Sequence, residues 1–413
     1  MGTTVIQTET CPACGKEMRI IKGYHVWCVD CNWNIDPDRY ELKRKNAFHS
    51  IYSWLNSRYR DRVFKHAIAG KRPSALQLDT AAAYILASTV YLLLVFLVWT
   101  VISSILGGIT NGEMVKALFC SLFLIALLPR KTKIHGVRLS RGEHAALYTG
   151  LDEICAVMQI KPIEKIYVNT EYNAFVYSPL FSKQVILVLG IPLLAILDRS
   201  EILALLGHEL GHLRNKDIAN RRYLSMAFSS LCEWYQMIRF NDDFWFFKVA
   251  MYPLRLVFSA MISLMGLCLW RQQQVAEYAA DREAVRLAGV PAALGLIQKS
   301  YHGITFELTV EKAAGYSGKI PIFDRFKEKL QHLPELELLR IERIMDLETS
   351  KVSSSHPPHR YRMEFIRQQD QLEAALAIDG FRFDGFVQAI RVIEKSMEAN
   401  ILRDYREFLA ESG

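Results

Sequence analysis

His208-Glu209-Leu210-Gly211-His212 places two imidazoles four residues apart with a carboxylate between them. On a helix both histidines share one face and could grip a single metal ion, with Glu209 projecting beside it. A carboxylate in that position can take the proton from a water that a bound dication has acidified, which is hydrolytic chemistry. Such a site needs a further ligand. The stretch QQQVAEYAADREAVRLAG offers Glu277 and Asp281, again four apart, on a helix expected to end near Gly289. One carboxylate could complete the set and leave a position open for water; the other could bond a ligand imidazole and fix its orientation.

A second constellation lies at the N-terminus. Cys11, Cys14, Cys28 and Cys31 have the spacing C-x2-C-x13-C-x2-C. Each C-x2-C pair is a tight knuckle aiming two thiolates at one point, and two knuckles complete a tetrahedral structural zinc site, a zinc ribbon. Gly15 suits the turn after the first knuckle, and Trp27 and Trp33 could cover a fold too small to build its own core. Disulfides would require an oxidising compartment, which a cytoplasmic N-terminus denies. The ribbon could be purely structural or could recruit a partner or substrate. Cys120, Cys155, Cys232 and Cys268 stand singly among apolar residues and read as packing groups.

The elements that must position this chemistry are also legible. LDRSEILALLGHELGHLRNKD (Leu197 to Asp217) begins with Asp198 and Glu201 at capping-box spacing, and its leucines recur at helical intervals. Ahead of it, KIYVN (Lys165 to Asn169), NAFVYS (Asn173 to Ser178) and KQVILVLG (Lys183 to Gly190) are β-branched and aromatic runs separated by turn residues. A small sheet there could offer an open edge to an extended peptide, or simply supply core strands.

The chain has 413 residues, 51% hydrophobic and 23% charged, with a formal net charge of +7. That composition excludes intrinsic disorder and a collagen-like fold, and eight cysteines are too sparse for a disulfide scaffold. The apolar residues are segregated. From Thr80 to Gly112 no residue is charged, enough for a membrane-spanning helix; Met114 to Leu128, after a Gly-rich turn, reads as the returning arm of a hairpin. Residues 39–72 and the run from Pro129 to Arg141 are densely basic and flank the hairpin, so both flanks are expected on the cytoplasmic side. The first 30 residues hold cysteines and charges where a signal peptide would have an apolar core. Two weaker apolar stretches, Tyr223 to Ile238 and Phe244 to Trp270, must both cross or neither, because the residues on either side have to meet in one site.

The motifs GHELGHLRNKD (Gly207 to Asp217), EYAAD (Glu277 to Asp281) and SSHPPHRYR (Ser354 to Arg362) resemble the M48 family of membrane metallopeptidases, over roughly residues 140–370. The resemblance implies a gluzincin fold, mainly helical, with a small sheet whose edge strand holds the peptide. It also implies that Glu277 is the third ligand of the catalytic zinc and Asp281 the residue that orients a ligand. Asn173, Ala174 and Phe175 match a segment lining the substrate cleft. His356 and Arg362 match a histidine and an arginine that stabilise the oxyanion. His359 has no counterpart and is expected to be exposed. The N-terminal ribbon is a departure from the family pattern.

The expected protein is therefore a multidomain membrane protein: a zinc ribbon (1–38), a basic juxtamembrane segment (39–75), a transmembrane helical hairpin (76–130) and a mainly α, gluzincin-like metallopeptidase domain with a small β-sheet (131–413) interrupted by an apolar helical insertion (223–270). It would hydrolyse peptide bonds of protein substrates at a cytoplasm-facing site of a bacterial cytoplasmic membrane, in membrane-protein quality control, with one catalytic and one structural zinc. Its partners would be peptides and the lipid bilayer, and no nucleic acid. A membrane-tethered zinc-ribbon adaptor with an idle peptidase-like body is the alternative.

Overall fold

The computed structural model describes residues 6–36, 59, 61–70, 75–107, 111–127, 135–179, 184–215, 217–239, 245–315, 321–347, 356–369 and 380–412. The basic run through residue 58, the segment 128–134, and Ser354 and Ser355 of the third motif lie outside the described residues.

The N-terminal hairpin pairs β1 (Ile6–Thr10) with β2 (Glu17–Ile21), antiparallel, Ile6 opposite Ile21 and Thr10 opposite Glu17. Then come α1 (Ala75–Leu106) and α2 (Asn111–Leu127), which pack along each other as a helical hairpin. β3 (Val137–Leu139) and α3 (Ala145–Val157) follow, then β4 (Lys165–Asn169), β5 (Ala174–Tyr177) and β6 (Ile186–Gly190). The sheet order is β3-β4-β6-β5, with β4 and β6 parallel and the outer pairs antiparallel, so β5 is an edge strand. Short β3 was not legible in the sequence; the other three strands fall within the apolar runs that suggested them.

β6 is buried throughout and runs directly into α4 (Ile191–Ile196), which turns the chain into α5 (Arg199–Arg214). Asp198 accepts from Glu201 N at 2.9 Å and Glu201 Oε2 accepts from Asp198 N at 2.7 Å, closing the capping box. The leucines of α5 recur at helical spacing, and the helix is buried nearly all round, because β5 and four later helices pack on it.

α6 (Asp217–Arg239) and the short α7 (Trp245–Ala250) lead to α8 (Tyr252–Ala288), 37 residues without a break. Sequence reading divided this segment into an apolar insertion ending at Trp270 and a separate ligand helix. Arg271-Gln272-Gln273-Gln274 carries no Gly, Pro or cap, and so the helix continues until Gly289, whose φ of +84° ends it. At about 1.5 Å per residue, Glu277 lies roughly 10 Å along the axis beyond Trp270.

α1 and α8 are long and apolar enough to cross a membrane, and only 17% of the most apolar window of each is buried. Leu92, Val95, Phe96 and Trp99 of α1 and Leu256, Val257 and Leu264 of α8 are exposed, an apolar surface of the kind that meets lipid or another protein. Ala83, Ala87 and Val90 of α1, Leu224, Ala227, Leu231 and Trp234 of α6, and Met265 and Cys268 of α8 form an apolar cluster of their own, separate from the main core. Asp79 and Arg271 close the base of that bundle with a largely buried ion pair of 2.7 Å.

The remaining helices are α9 (Val290–Lys299), α10 (Gly303–Gly315), α11 (Ile322–Gln331), α12 (Glu335–Leu347), α13 (His359–Arg367) and α14 (Gly380–Ser412). From the segment read as juxtamembrane, Tyr59 and Val63 are buried in the main core, Phe64 packs edge-on to Tyr361, and Arg282 donates to Ala67 O.

Candidate active site

α5 and α8 cross with almost no side chain between them. A Cβ on Gly207 would lie 3.0 Å from Ala284 Cα, and one on Gly211 would lie 3.1 Å from Ala280 Cα. The glycines of G-H-E-L-G therefore have a physical reason: they let the backbones close until His208 and His212 face Glu277. Sequence reading missed this, although Gly207-x3-Gly211 and Ala280-x3-Ala284 are matching small-residue steps.

One ligand atom each from His208, His212 and Glu277 lies within 4.8 Å of the other two. His208 Nε2 faces Glu277 Oε2 at 3.4 Å and His212 Nε2 faces Glu277 Oε1 at 3.7 Å. His208 Nε2 is buried without a hydrogen bond, as expected of a nitrogen whose lone pair is meant for a cation. Behind it, His208 Nδ1 is 3.0 Å from Asp281 Oδ1, and Arg362 donates to both oxygens of Asp281 at 2.6 and 2.9 Å. Spacing alone left the roles of Glu277 and Asp281 interchangeable; here Glu277 faces both imidazoles and Asp281 backs one of them.

Electrostatics agree with a cation site. Burial alone would lower the His208 pKa, yet the facing carboxylates of Asp281 and Glu277 raise it to about 10. Burial would raise Asp281, but the charge and hydrogen bonds of Arg362, with His208, bring it to about 2. Glu277 is likewise held well below the usual carboxylate range, against its burial, by His356 and His208. Carboxylates that stay ionised when buried demand positive charge, and two imidazoles with one carboxylate are a donor set that suits zinc.

Glu209 is buried beside His208 on α5. His356, on the segment entering α13, bonds Glu277 Oε2 through Nδ1 at 2.5 Å. Arg362 is committed to Asp281 and approaches His208 Nδ1 at 3.4 Å, so it is placed behind the histidine. Asn173 is exposed at the start of β5, its Oδ1 accepting from Ala174 N at 2.8 Å; Ala174 is buried and Phe175 half-buried. β5 packs on α5, which puts the edge strand next to the histidine helix. His359, expected to be exposed, is half-buried: Tyr301 OH bonds its Nδ1 at 2.8 Å and the two rings meet edge to face.

The four N-terminal cysteines also converge. Cys11 and Cys31 sulfurs are 3.7 Å apart, as are those of Cys14 and Cys28. That is too long for a disulfide, whereas four thiolates about 2.3 Å from one zinc would lie about 3.8 Å from each other. Both knuckles turn through a left-handed residue one past the second cysteine, Gly15 at φ +74° and Asn32 at +58°.

A helix-borne His-Glu-x-x-His pair facing a carboxylate on a second helix is the constellation of a metallohydrolase. The family model for peptidase family M48 matches residues 148–370, more than half of the chain and the whole of this constellation, and the chain belongs to that family. Protease HtpX homolog 2 of Saccharolobus solfataricus is 37% identical over 75 residues, 17% of this chain and 22% of that protein. Protease HtpX homolog of Saccharolobus islandicus matches with the same identity and coverage. The chain thus spans less than a quarter of the length of the curated relatives it matches. No solved structure matches at a significant level. The family match includes neither the four cysteines nor α1 and α2.

Proposed function

We propose that the chain is a membrane-anchored zinc endopeptidase, and the observation that carries this reading is the convergence of His208, His212 and Glu277 next to Glu209. His208, His212 and Glu277 hold the catalytic zinc, and Asp281 orients His208. When bound, the metal polarises the scissile carbonyl and makes water nucleophilic at neutral pH. Glu209 takes the proton of the attacking water and returns it to the leaving amine. His356, its ring held by Glu277, stabilises the developing oxyanion; Arg362 acts through Asp281. An extended peptide adds to the free edge of β5, where Asn173, Ala174 and Phe175 meet it.

The proposed domain organisation is a ribbon (1–38), a basic segment (39–75), a hairpin (76–130) and a catalytic body (131–413), with a second zinc on Cys11, Cys14, Cys28 and Cys31. The apolar cluster shared by α1, α6 and α8 favours the reading in which α6 and α8 both cross the bilayer. Basic flanks put the N-terminus and the catalytic site in the cytoplasm, consistent with quality control of membrane proteins. Metal analysis of the full-length protein tests the reading: two zincs per chain, one after His208→Ala with loss of peptide hydrolysis, support it. One zinc in the wild type and no hydrolysis would leave a ribbon adaptor with an idle body.

A further inference from the structure

The cysteine hairpin is seated on α12 by that helix's own arginines. Arg340, 1% exposed, donates to Ile35 O at 2.9 Å while holding Glu337 with hydrogen bonds of 2.8 and 2.7 Å. Arg343 donates to Val29 O and, at 3.1 Å, to Asn32 Oδ1, and lies over the Trp27 ring. Val29, Asn32 and Ile35 belong to or adjoin the second knuckle, whose backbone bends around Cys28 and Cys31 through the left-handed Asn32. Among the described residues the buried cluster at this centre is Cys11, Met18 and Cys28, with Val26 and Trp33 packed against it, a small core for holding such a bend without a metal.

α12 also reaches the catalytic segment. The two helices pack against each other, with the exposed side chains of Asp346 and Arg360 4.0 Å apart at that contact, and α13 carries Arg362 to Asp281. In sequence, residues 348–355 join Leu347 to His356, whose imidazole bonds Glu277.

We infer that metal occupancy of the four-cysteine site controls the catalytic centre. The loaded knuckle presents the acceptors that clamp Arg340 and Arg343, and the clamped α12 keeps His356 and α13 in register with Glu277 and Asp281. Without the metal those acceptors disperse, Arg340 and Glu337 lose their cover, and α12 loosens. This inference rests on the peptidase reading, and it gives the ribbon an effect on turnover, not on substrate capture.

The test uses the full-length protein in detergent micelles with fluorescein-labelled casein as substrate. Three quantities are read: zinc per chain, hydrogen exchange of residues 335–347, and kcat and KM separately. The Cys14→Ser/Cys31→Ser double variant, which changes the two exposed cysteines, is expected to lose one zinc and the exchange protection of α12. Its kcat should fall at least about ten-fold, with KM within about two-fold of wild type. Arg343→Ala, should the cysteine variant misfold, is expected to keep both zincs yet lose α12 protection and about three-fold in kcat; Arg343→Lys should recover part of it. Unchanged α12 protection and kcat would overturn the inference, and so would a rise in KM at constant kcat, which would mean that the ribbon recruits substrate. Glu209→Gln provides the zero of activity. If that variant stays active the peptidase reading fails, while hydrogen exchange still decides whether the knuckle clamps α12.

Discussion

Arg362 grips Asp281 with two hydrogen bonds where neither side chain meets solvent, and Asp281 is the group behind His208 Nδ1. Removing the guanidinium would leave a buried carboxylate without its counter-charge. Arg362→Met is therefore expected to cost roughly 3–5 kcal/mol of stability, and to weaken catalytic zinc binding by roughly 10–100-fold. Arg362→Lys should restore only part, since an ammonium cannot bond both oxygens in the same plane. Thermal unfolding and zinc titration of the full-length variants check both.

Gly211 is expected to be intolerant for a reason of space, not chemistry. Any Cβ there lies 3.1 Å from both Ala280 Cα and Glu283 Cβ, and a branched side chain must push α8 away from α5. Gly211→Val should cost about 1–3 kcal/mol and lose the catalytic zinc although every ligand remains. Metal analysis that found the full zinc content would show that the close helix crossing does not set the site.

If α6 and α8 both cross the bilayer, α7 between them lies on the opposite side from the catalytic centre. Cysteines introduced at Phe246 and Asn173, both exposed, are expected to differ in intact cells. A membrane-impermeant maleimide should label Phe246→Cys directly and Asn173→Cys only after permeabilisation, relative to the wild-type cysteine background. Equal labelling before permeabilisation would mean that the pair does not cross.

Much of the active site was legible in the sequence because its residues repeat at helical spacing: four for His208 and His212, four for Glu277 and Asp281. Local rules also reached the capping box at Asp198 and the strands around the residues 165–190. What they could not reach depends on which elements touch. Nothing in QQQVAEYAAD says that it continues the apolar helix before it. Arg362 meets Asp281, and His356 meets Glu277, across some 80 residues of chain; the resemblance named those residues, but their partners follow only from the packing of α13 on α8. The arginines of α12 belong to none of the motifs the sequence offers, since the groups they bond are backbone carbonyls over 300 residues away.

Glu209→Gln bears on the central claim most directly, because it removes the proposed base and keeps its shape. In the full-length protein, zinc content should stay at that of wild type while kcat/KM for labelled casein falls by roughly 10²–10⁴-fold, the usual contribution of a positioned general base. Hydrolysis within about two-fold of wild type at unchanged zinc content would contradict the assignment of Glu209, and with it the proposed mechanism.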